Sequence, residues 1–317
     1  MKRVDGNLML LCGTAHPELG RRIAAEIGMA LAPMAVTRFA DGEFDVKIGD
    51  SVRGHDVFLI QPTCHPVNST YMELFVILDA LRRASAARIN AVMPYYGYAR
   101  KEKKTQARDP ISAKLMANFV QVAGAQRVIA LDLHAEAIQG FFDIPVDALT
   151  AGKILAHHIE TRRGRDNLVV VSPDVGGTAR ARAIARRLEC PLAIVDKRRP
   201  RDDDVEVVNV IGDVSGSSCV VIDDLISTGA TLIGAAQALR AQGAVAVDVL
   251  ATHGVFTEGT LARLSSAPID DIVVTDTIPM PSDAGRFPKL HQVSVAPLIA
   301  EAIVRVHEGR SVSELFR

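Results

Sequence analysis

No apolar stretch of the roughly 18 residues that a membrane-spanning helix needs occurs in this chain of 317 residues. The amino terminus turns acidic at Asp5 before a signal-like apolar segment can form, so cytoplasmic residence without membrane contact is expected. Cysteine is scarce: Cys12, Cys64, Cys190 and Cys219 are widely separated and form no CxxC pair. That excludes a disulfide framework or a cysteine zinc site and predicts reduced thiols packed as small hydrophobes. Net charge is almost absent, with 36 Lys and Arg against 37 Asp and Glu. There is no global field to hold a nucleic acid or an anionic membrane, and any recognition of anions has to be local. The GxxxxGK[ST] pattern is missing too, so ATP, if bound, is not held by a P-loop.

What the chain does have is core material, 48% hydrophobic residues, in enough length for two domains. Short apolar runs at 57–60, 89–93, 127–131, 168–172, 192–195, 219–222, 245–251 and 272–275 read as strands. Between the first two, Leu74, Ile77, Leu78 and Leu81 repeat at i, i+3, i+4 and i+7, the stripe of a helix, and similar patterns span 111–123 and 179–188. Strands alternating with helices predict an α/β fold of largely parallel sheets flanked by helices. A boundary near Leu149 and Thr150 divides the chain into 1–149 and 150–317.

The most informative segment runs from Val221 to Thr231. An apolar strand leads to Asp223 and Asp224, then through Ser227, Thr228, Gly229, Ala230 and Thr231 into a helical pattern. Small residues let backbone N–H groups approach a phosphate, the helix start adds about half a positive charge, and the paired acids can accept hydrogen bonds from vicinal sugar hydroxyls. The same residues also suit an ordinary capped turn; the adjacent acid pair favours the ribose-phosphate cradle. A second strand-to-helix loop, Ser172 to Arg180, carries Asp174, a donor suited to a hard cation such as Mg²⁺. His134, after the run 127–131, reads as a metal or phosphate partner or as a structural histidine. The loop from Tyr95 to Lys104 offers aromatics to a base and cations to a polyphosphate, or is a solvated basic loop. The run Asp196 to Arg201, followed by Asp202 to Asp204, suits a flap that brings Lys197 and Arg199 over a transferring phosphoryl group.

In this order the segments resemble the ribose-phosphate diphosphokinase (phosphoribosyl pyrophosphate synthetase) family over nearly the whole chain. The resemblance rests on Phe39-Ala40-Asp41-Gly42-Glu43, Pro94 to Arg100, Pro110 to Lys114, Asp132-Leu133-His134-Ala135 and Gln139 to Pro145. It continues through Pro173 to Gly177, Asp196 to Pro200, the segment 221–231, Thr275 to Pro279, and Ser311 to Phe316. It implies two phosphoribosyltransferase-like domains, with a tail from about 300 that packs back on the first. It also implies Mg²⁺-dependent transfer of the β,γ-diphosphoryl group of ATP to the C1 hydroxyl of ribose 5-phosphate. The product, 5-phosphoribosyl 1-diphosphate, feeds nucleotide, histidine and tryptophan synthesis, and AMP is released.

By the same resemblance Phe39, Asp41, Gly42, Glu43, Arg100, Lys101 and His134 hold ATP, and His134 and Asp174 hold the metal. Lys197 and Arg199 are catalytic. Arg199, Asp223, Asp224 and Ser227 to Thr231 bind ribose 5-phosphate. A homohexamer built from dimers is implied, as is regulation by phosphate and ADP through Ser311, Val312, Ser313 and Phe316. Three departures stand out: Lys101-Glu102 where the family usually has Gln-Asp, Ser227 in place of an acid with Gly229-Ala230 inverted, and Ser69-Thr70 without the usual acidic neighbour. Two other readings remain, a phosphoribosyltransferase that consumes the same product and a non-catalytic synthetase-associated subunit.

Overall fold

The computed structural model describes residues 6–164, 166–198 and 207–316, with the backbone only at 197, 198, 207, 208 and 316. The chain divides into two compact units. The first holds β1 (Leu8–Cys12), α1 (Pro17–Ile27), β2 (Met34–Arg38), β3 (Phe44–Ile48), β4 (Asp56–Ile60), α2 (Val67–Arg83), β5 (Arg88–Met93), α3 (Ser112–Ala123), β6 (Arg127–Leu131) and β7 (Val146–Leu149). The second contains α4 (Gly152–Arg163), β8 (Leu168–Ser172), α5 (Thr178–Leu188), β9 (Leu192–Arg198), β10 (Val207–Ile211), β11 (Ser218–Ile226) and α6 (Ala230–Ala241). It ends with β12 (Ala246–Gly254), α7 (Thr260–Ser266), β13 (Ile272–Thr275) and β14 (Leu290–Val293). The last helix, α8 (Ala296–His307), groups with the first unit. The second unit is thus shorter than the 150–317 read from the sequence. Val295–Arg317 and Thr277–Pro279 cluster with the first, and the return begins at Val295 rather than about 300.

In the first unit five parallel strands lie in the order β1-β4-β5-β6-β7, beside a separate antiparallel hairpin β2-β3. β4 is buried at every position, as a strand covered on both faces must be. The stripe Leu74, Ile77, Leu78 and Leu81 of α2 is fully buried in the same core as Val57, Leu59, Ala91 and Met93. α8 packs on α1 and is fastened at its C-terminal end by a buried carboxylate. Asp56, with no exposed side-chain surface, accepts from Arg88, from Asn90 at 2.8 Å and pairs with His307 Nδ1 at 2.8 Å; Arg88 also donates to the Val306 carbonyl at 3.2 Å.

Burial alone would raise the Asp56 pKa, but the hydrogen bonds from Arg88, His307 and Asn90 outweigh it and hold the carboxyl below its ordinary value. A depressed native pKa means that this contribution is present above the ordinary carboxylate range and is lost as pH falls through the native value. Asp56→Ala strands Arg88 beside a buried cavity and is expected to cost about 3–5 kcal/mol in urea unfolding at neutral pH, with the gap to wild type closing in acid. A loss below about 1 kcal/mol would rule out a major role for this cluster.

The second unit has seven strands in the order β10-β9-β8-β11-β12-β13-β14, all parallel except the β9-β10 pair. From β8 the chain first winds outward through β9 and β10, then returns to lay β11 on the other side of β8 and winds away through β12 to β14. The order therefore reverses between β8 and β11. In open α/β sheets that switch point, beyond the carboxyl ends of the strands, is where ligands bind. The first unit, whose order runs β1-β4-β5-β6-β7, has no such reversal among the described strands.

Candidate active site

β11 is longer than the sequence suggests. The apolar run was expected to end at the two acids, yet pairing with β12 continues through Asp223↔Ala251, Leu225↔His253 and Ile226↔Gly254. Pairing with β8 stops at Val221↔Val171. Asp223 and Asp224 consequently sit on a strand overhang at the switch point, supported from one side only. The carboxylates do not break the strand because its last residues hydrogen-bond to β12, whatever their side chains.

The Asp223 carboxylate accepts from the Asp224 N–H at 2.8 Å. Arg180, from the first turn of α5, approaches both acids, at 3.8 Å from Asp223 Oδ1 and 3.5 Å from Asp224 Oδ1. Burial, reinforced by the charge of Asp224, pushes the Asp223 pKa up to about 7, against which Arg180 pulls only partly. The pair resists carrying two negative charges in its own surroundings. Such a site calls for a cation.

The loop between β8 and α5 faces the same switch point. Asp174, exposed, accepts the Gly177 N–H at 2.8 Å, and Ser172 Oγ donates to the Asp174 carbonyl at 2.7 Å. After β11, Gly229 caps α6 with φ +77° and no side-chain cap bond. A Cβ there would lie 3.0 Å from Leu264, so both the left-handed backbone and the close approach call for glycine. An α-helix begins with N–H groups that its own carbonyls do not satisfy, and at α6 the capping Gly229 has no side chain to meet them. Thr228 is exposed, Ser227 and Thr231 are half-buried, and Thr228 Oγ1 lies 3.5 Å from the Ala230 N–H. Lys197 lies near the end of β9, past the last β8 pairing at Ser172↔Ile194 and opposite Val208. Arg199 is outside the described residues.

Other expected residues lie in the first unit. Phe39, Asp41, Gly42 and Glu43 form the tip of the β2-β3 hairpin, closed by Gly42 N–H to Phe39 O at 2.9 Å and Phe39 N–H to Glu43 O at 2.9 Å. Asp41 Oδ1 accepts the Glu43 N–H at 3.1 Å, while the Phe39 ring stands 57% exposed. His134 is exposed on the loop after β6. His134 and Asp174, paired by expectation as metal ligands, belong to different units, and no group of three or more His, Cys, Asp or Glu suited to a metal occurs among the described residues.

One expectation about the loop 95–104 changes. Tyr96 does not stack on a base: it is 2% exposed, T-shaped against Tyr71, with its hydroxyl donating to the Ala113 carbonyl at 2.8 Å. Tyr98 is partly exposed, but its hydroxyl is engaged by Asn68. Lys101 is tied to Asp109 at 3.4 Å, the carboxylate that also gathers Thr105 Oγ1 at 2.7 Å and the Thr105 and Gln106 N–H groups. Those bonds, led by that from the Thr105 hydroxyl, lower the Asp109 pKa to about 2. Arg100 is exposed. At the tail, Ser311 Oγ accepts the Ser313 N–H at 3.2 Å, Val312 is buried, and Phe316 closes the turn Ser313–Phe316.

Arg180 is the site residue that sequence reasoning missed. Nothing in the string marks it among the arginines of α5. Only the stacking of α5 against β8 and β11 turns this one toward the acids.

A doubly wound unit with paired carboxylates and a glycine-capped helix start at its switch point is the build of a phosphoribosyl-handling α/β enzyme. The description "N-terminal domain of ribose phosphate pyrophosphokinase" matches residues 8–124, and "Phosphoribosyl synthetase-associated domain" matches 199–317. The chain is 52% identical over 316 residues to the ribose-phosphate pyrophosphokinase of Caldanaerobacter subterraneus subsp. tengcongensis, covering 100% of both. It is 52% identical to that of Synechocystis, covering 99% of this chain and 94% of the relative. Among solved structures, phosphoribosylpyrophosphate synthetase from Mycobacterium smegmatis superposes with a TM-score of 0.91 at 43% identity, covering 96% of this chain and 99% of that one. The chain belongs to the ribose-phosphate pyrophosphokinase family, and it is an enzyme that makes phosphoribosyl pyrophosphate. No described helix is long and apolar enough to cross a membrane.

Proposed function

We propose that the switch point of the second unit binds ribose 5-phosphate and presents its C1 hydroxyl to the β-phosphorus of ATP. Asp223 and Asp224 accept the vicinal hydroxyls, and the Ser227 to Thr231 turn takes the 5-phosphate on the α6 N-terminus. Phe39, Asp41, Glu43 and Arg100 address the nucleotide. Lys197 and Arg199 stabilise the charge that develops as the diphosphoryl group leaves AMP. The observation that carries the reading is the acid pair, Asp224 buried and Asp223 half-buried, approached by Arg180.

The donor set fits Mg²⁺, a hard cation that takes carboxylate and phosphate oxygens. Asp174 and the Asp223-Asp224 pair supply such oxygens in the second unit; in the first unit His134 offers an imidazole to a metal or to a phosphate. When bound, the ion neutralises polyphosphate charge and favours attack at phosphorus. The protein's own part is positioning: it orients the hydroxyl, holds the two anions together and excludes water between them.

Assembly as a homohexamer of dimers, in which the Phe39 to Glu43 tip completes a neighbour's site, belongs to the same proposal. So do activation by phosphate, inhibition by ADP through the Ser311 to Phe316 tail, residence in the cytoplasm and supply of nucleotide, histidine and tryptophan synthesis. Sedimentation that finds a fully active monomer would refute the shared site. The chemistry is tested by phosphorus NMR of protein with Mg²⁺, ATP and ribose 5-phosphate. AMP and 5-phosphoribosyl 1-diphosphate should appear in equal amounts, whereas a folded sample that leaves ATP unchanged, with or without phosphate, overturns the reading.

A further inference from the structure

The turn at 226–229 is gripped from one side by the segment that leads into α7. The Ile226 carbonyl accepts the Phe256 N–H at 2.9 Å. The Ser227 carbonyl accepts three donors, the Thr257 N–H at 3.2 Å, Thr257 Oγ1 at 3.4 Å and Thr260 Oγ1 at 2.9 Å. The Thr228 carbonyl accepts Arg263 Nη2 at 3.2 Å. The arm of Arg263 is itself fixed, since Nη2 also donates to Thr260 Oγ1 at 3.0 Å and Nη1 to the Glu258 carbonyl at 3.4 Å.

Three consecutive carbonyls therefore point toward residues 256–263. A trans peptide is planar, with its N–H opposed to its C=O. Fixing the oxygens of Ile226, Ser227 and Thr228 on one side turns the N–H groups of Ser227, Thr228 and Gly229 to the other. Successive N–H groups aimed the same way make an anion-binding concavity.

We infer that Arg263 and Thr260 are positioning residues for this reaction: by clasping the carbonyls of Ser227 and Thr228 they preset the backbone N–H groups that receive the 5-phosphate. The inference rests on the proposed ribose 5-phosphate site. Both bond the loop on its carbonyl side, away from the N–H groups. Arg263 is exposed on a short surface helix and Thr260 is buried beneath it, so the clasp is local to the loop. It acts on ribose 5-phosphate binding and leaves the nucleotide and the chemical step alone.

The test is steady-state kinetics of the full chain, with each substrate varied. Arg263→Ala should raise KM for ribose 5-phosphate about tenfold, about 1.4 kcal/mol, while kcat and KM for ATP stay within about threefold. Thr260→Val, which changes no charge, should raise the same KM several-fold. Arg263→Lys, with one donor group in place of the fork, should recover only part of the loss. Circular dichroism melts confirm folding. Gly229→Ala, which displaces the turn itself, serves as the control for the site and should also raise KM for ribose 5-phosphate.

Full rescue by Arg263→Lys with no effect of Thr260→Val would overturn the clasp in favour of a charge effect. A fall in kcat at unchanged KM for ribose 5-phosphate would overturn it as well. If Gly229→Ala raises KM and the clasp variants do not, the site stands and the clasp fails. If none of them moves KM for ribose 5-phosphate, the site itself is misplaced and the inference falls with it.

Discussion

Asp223→Asn is expected to cut kcat/KM for ribose 5-phosphate by about 10²–10³-fold and, at the same time, to make the metal-free protein more stable above pH 7. The loss follows from the role: asparagine keeps the shape but gives up the charge that attracts a cation and strengthens the bond from a sugar hydroxyl. The gain follows from linkage. Asp223 has a native pKa of about 7, raised by burial and by Asp224. Below the ordinary carboxylate range the group is protonated folded or unfolded. As pH rises from about 4 to about 7 the unfolded chain gives up its proton and the folded chain does not, so stability declines across that window.

Asparagine carries no charge to lose and should escape the decline, for a gain on the order of 1–3 kcal/mol at pH 8. Thermal melts of both proteins without metal, from pH 5 to pH 8.5, measure it. Parallel melting curves across that range would mean that the two acids share no strain, and near-normal turnover would remove Asp223 from the site.

Lys197→Ala should lower kcat by about 10³-fold or more with KM for ATP changed only a few-fold, the pattern of a contact made in the transition state rather than the ground state. Its backbone position supports that expectation. The pairing of β9 with β8 ends at Ile194, and the residues beyond run past the β8 end toward the side where Asp174 follows Ser172. Its backbone thus lies at the carboxyl end of the sheet, opposite the N-terminal strand ends, as the proposed role requires. Developing negative charge on a transferring diphosphoryl group is met by a cation that need not bind ATP tightly at rest. Rapid-quench measurement of a single turnover isolates the chemical step. A tenfold rise in KM for ATP at constant kcat would instead make Lys197 a binding residue.

Much of the second unit was legible because its strands are buried on both faces and so read as unbroken apolar runs. Leu168–Ser172 and Ile272–Thr275 fall where those runs place them, as Arg127–Leu131 does in the first unit. The hairpin β2-β3 was not legible. Its residues alternate, with Met34, Val36, Val46 and Ile48 half-buried against the core and Ala35, Thr37, Asp45 and Lys47 exposed, so it offers no unbroken apolar run. β7 and β14 are four-residue strands whose existence depends on neighbours far away in sequence.

The site divides along the same line. Asp223, Asp224 and the small residues after them are consecutive, so local chemistry exposes them. Arg180 and Arg263 act across 44 and 35 positions of sequence respectively, through α5 and α7. No spacing rule connects them to the acids or to the turn. Tyr96 misled because an aromatic beside a basic loop looks like a stacking platform until its ring is seen packed against Tyr71.

The return of α8 to the first unit sets an order of events during synthesis. A ribosome finishes the strands and helices of the second unit, through β14, before α8 is made. Chains usually fold from the amino end forward. Here the half that is begun first is completed last, and until α8 arrives Asp56 is a buried-to-be carboxylate without His307 and the surface of α1 that α8 covers stays wet. A nascent chain stalled just after Ser294 carries a complete second unit and an open first one.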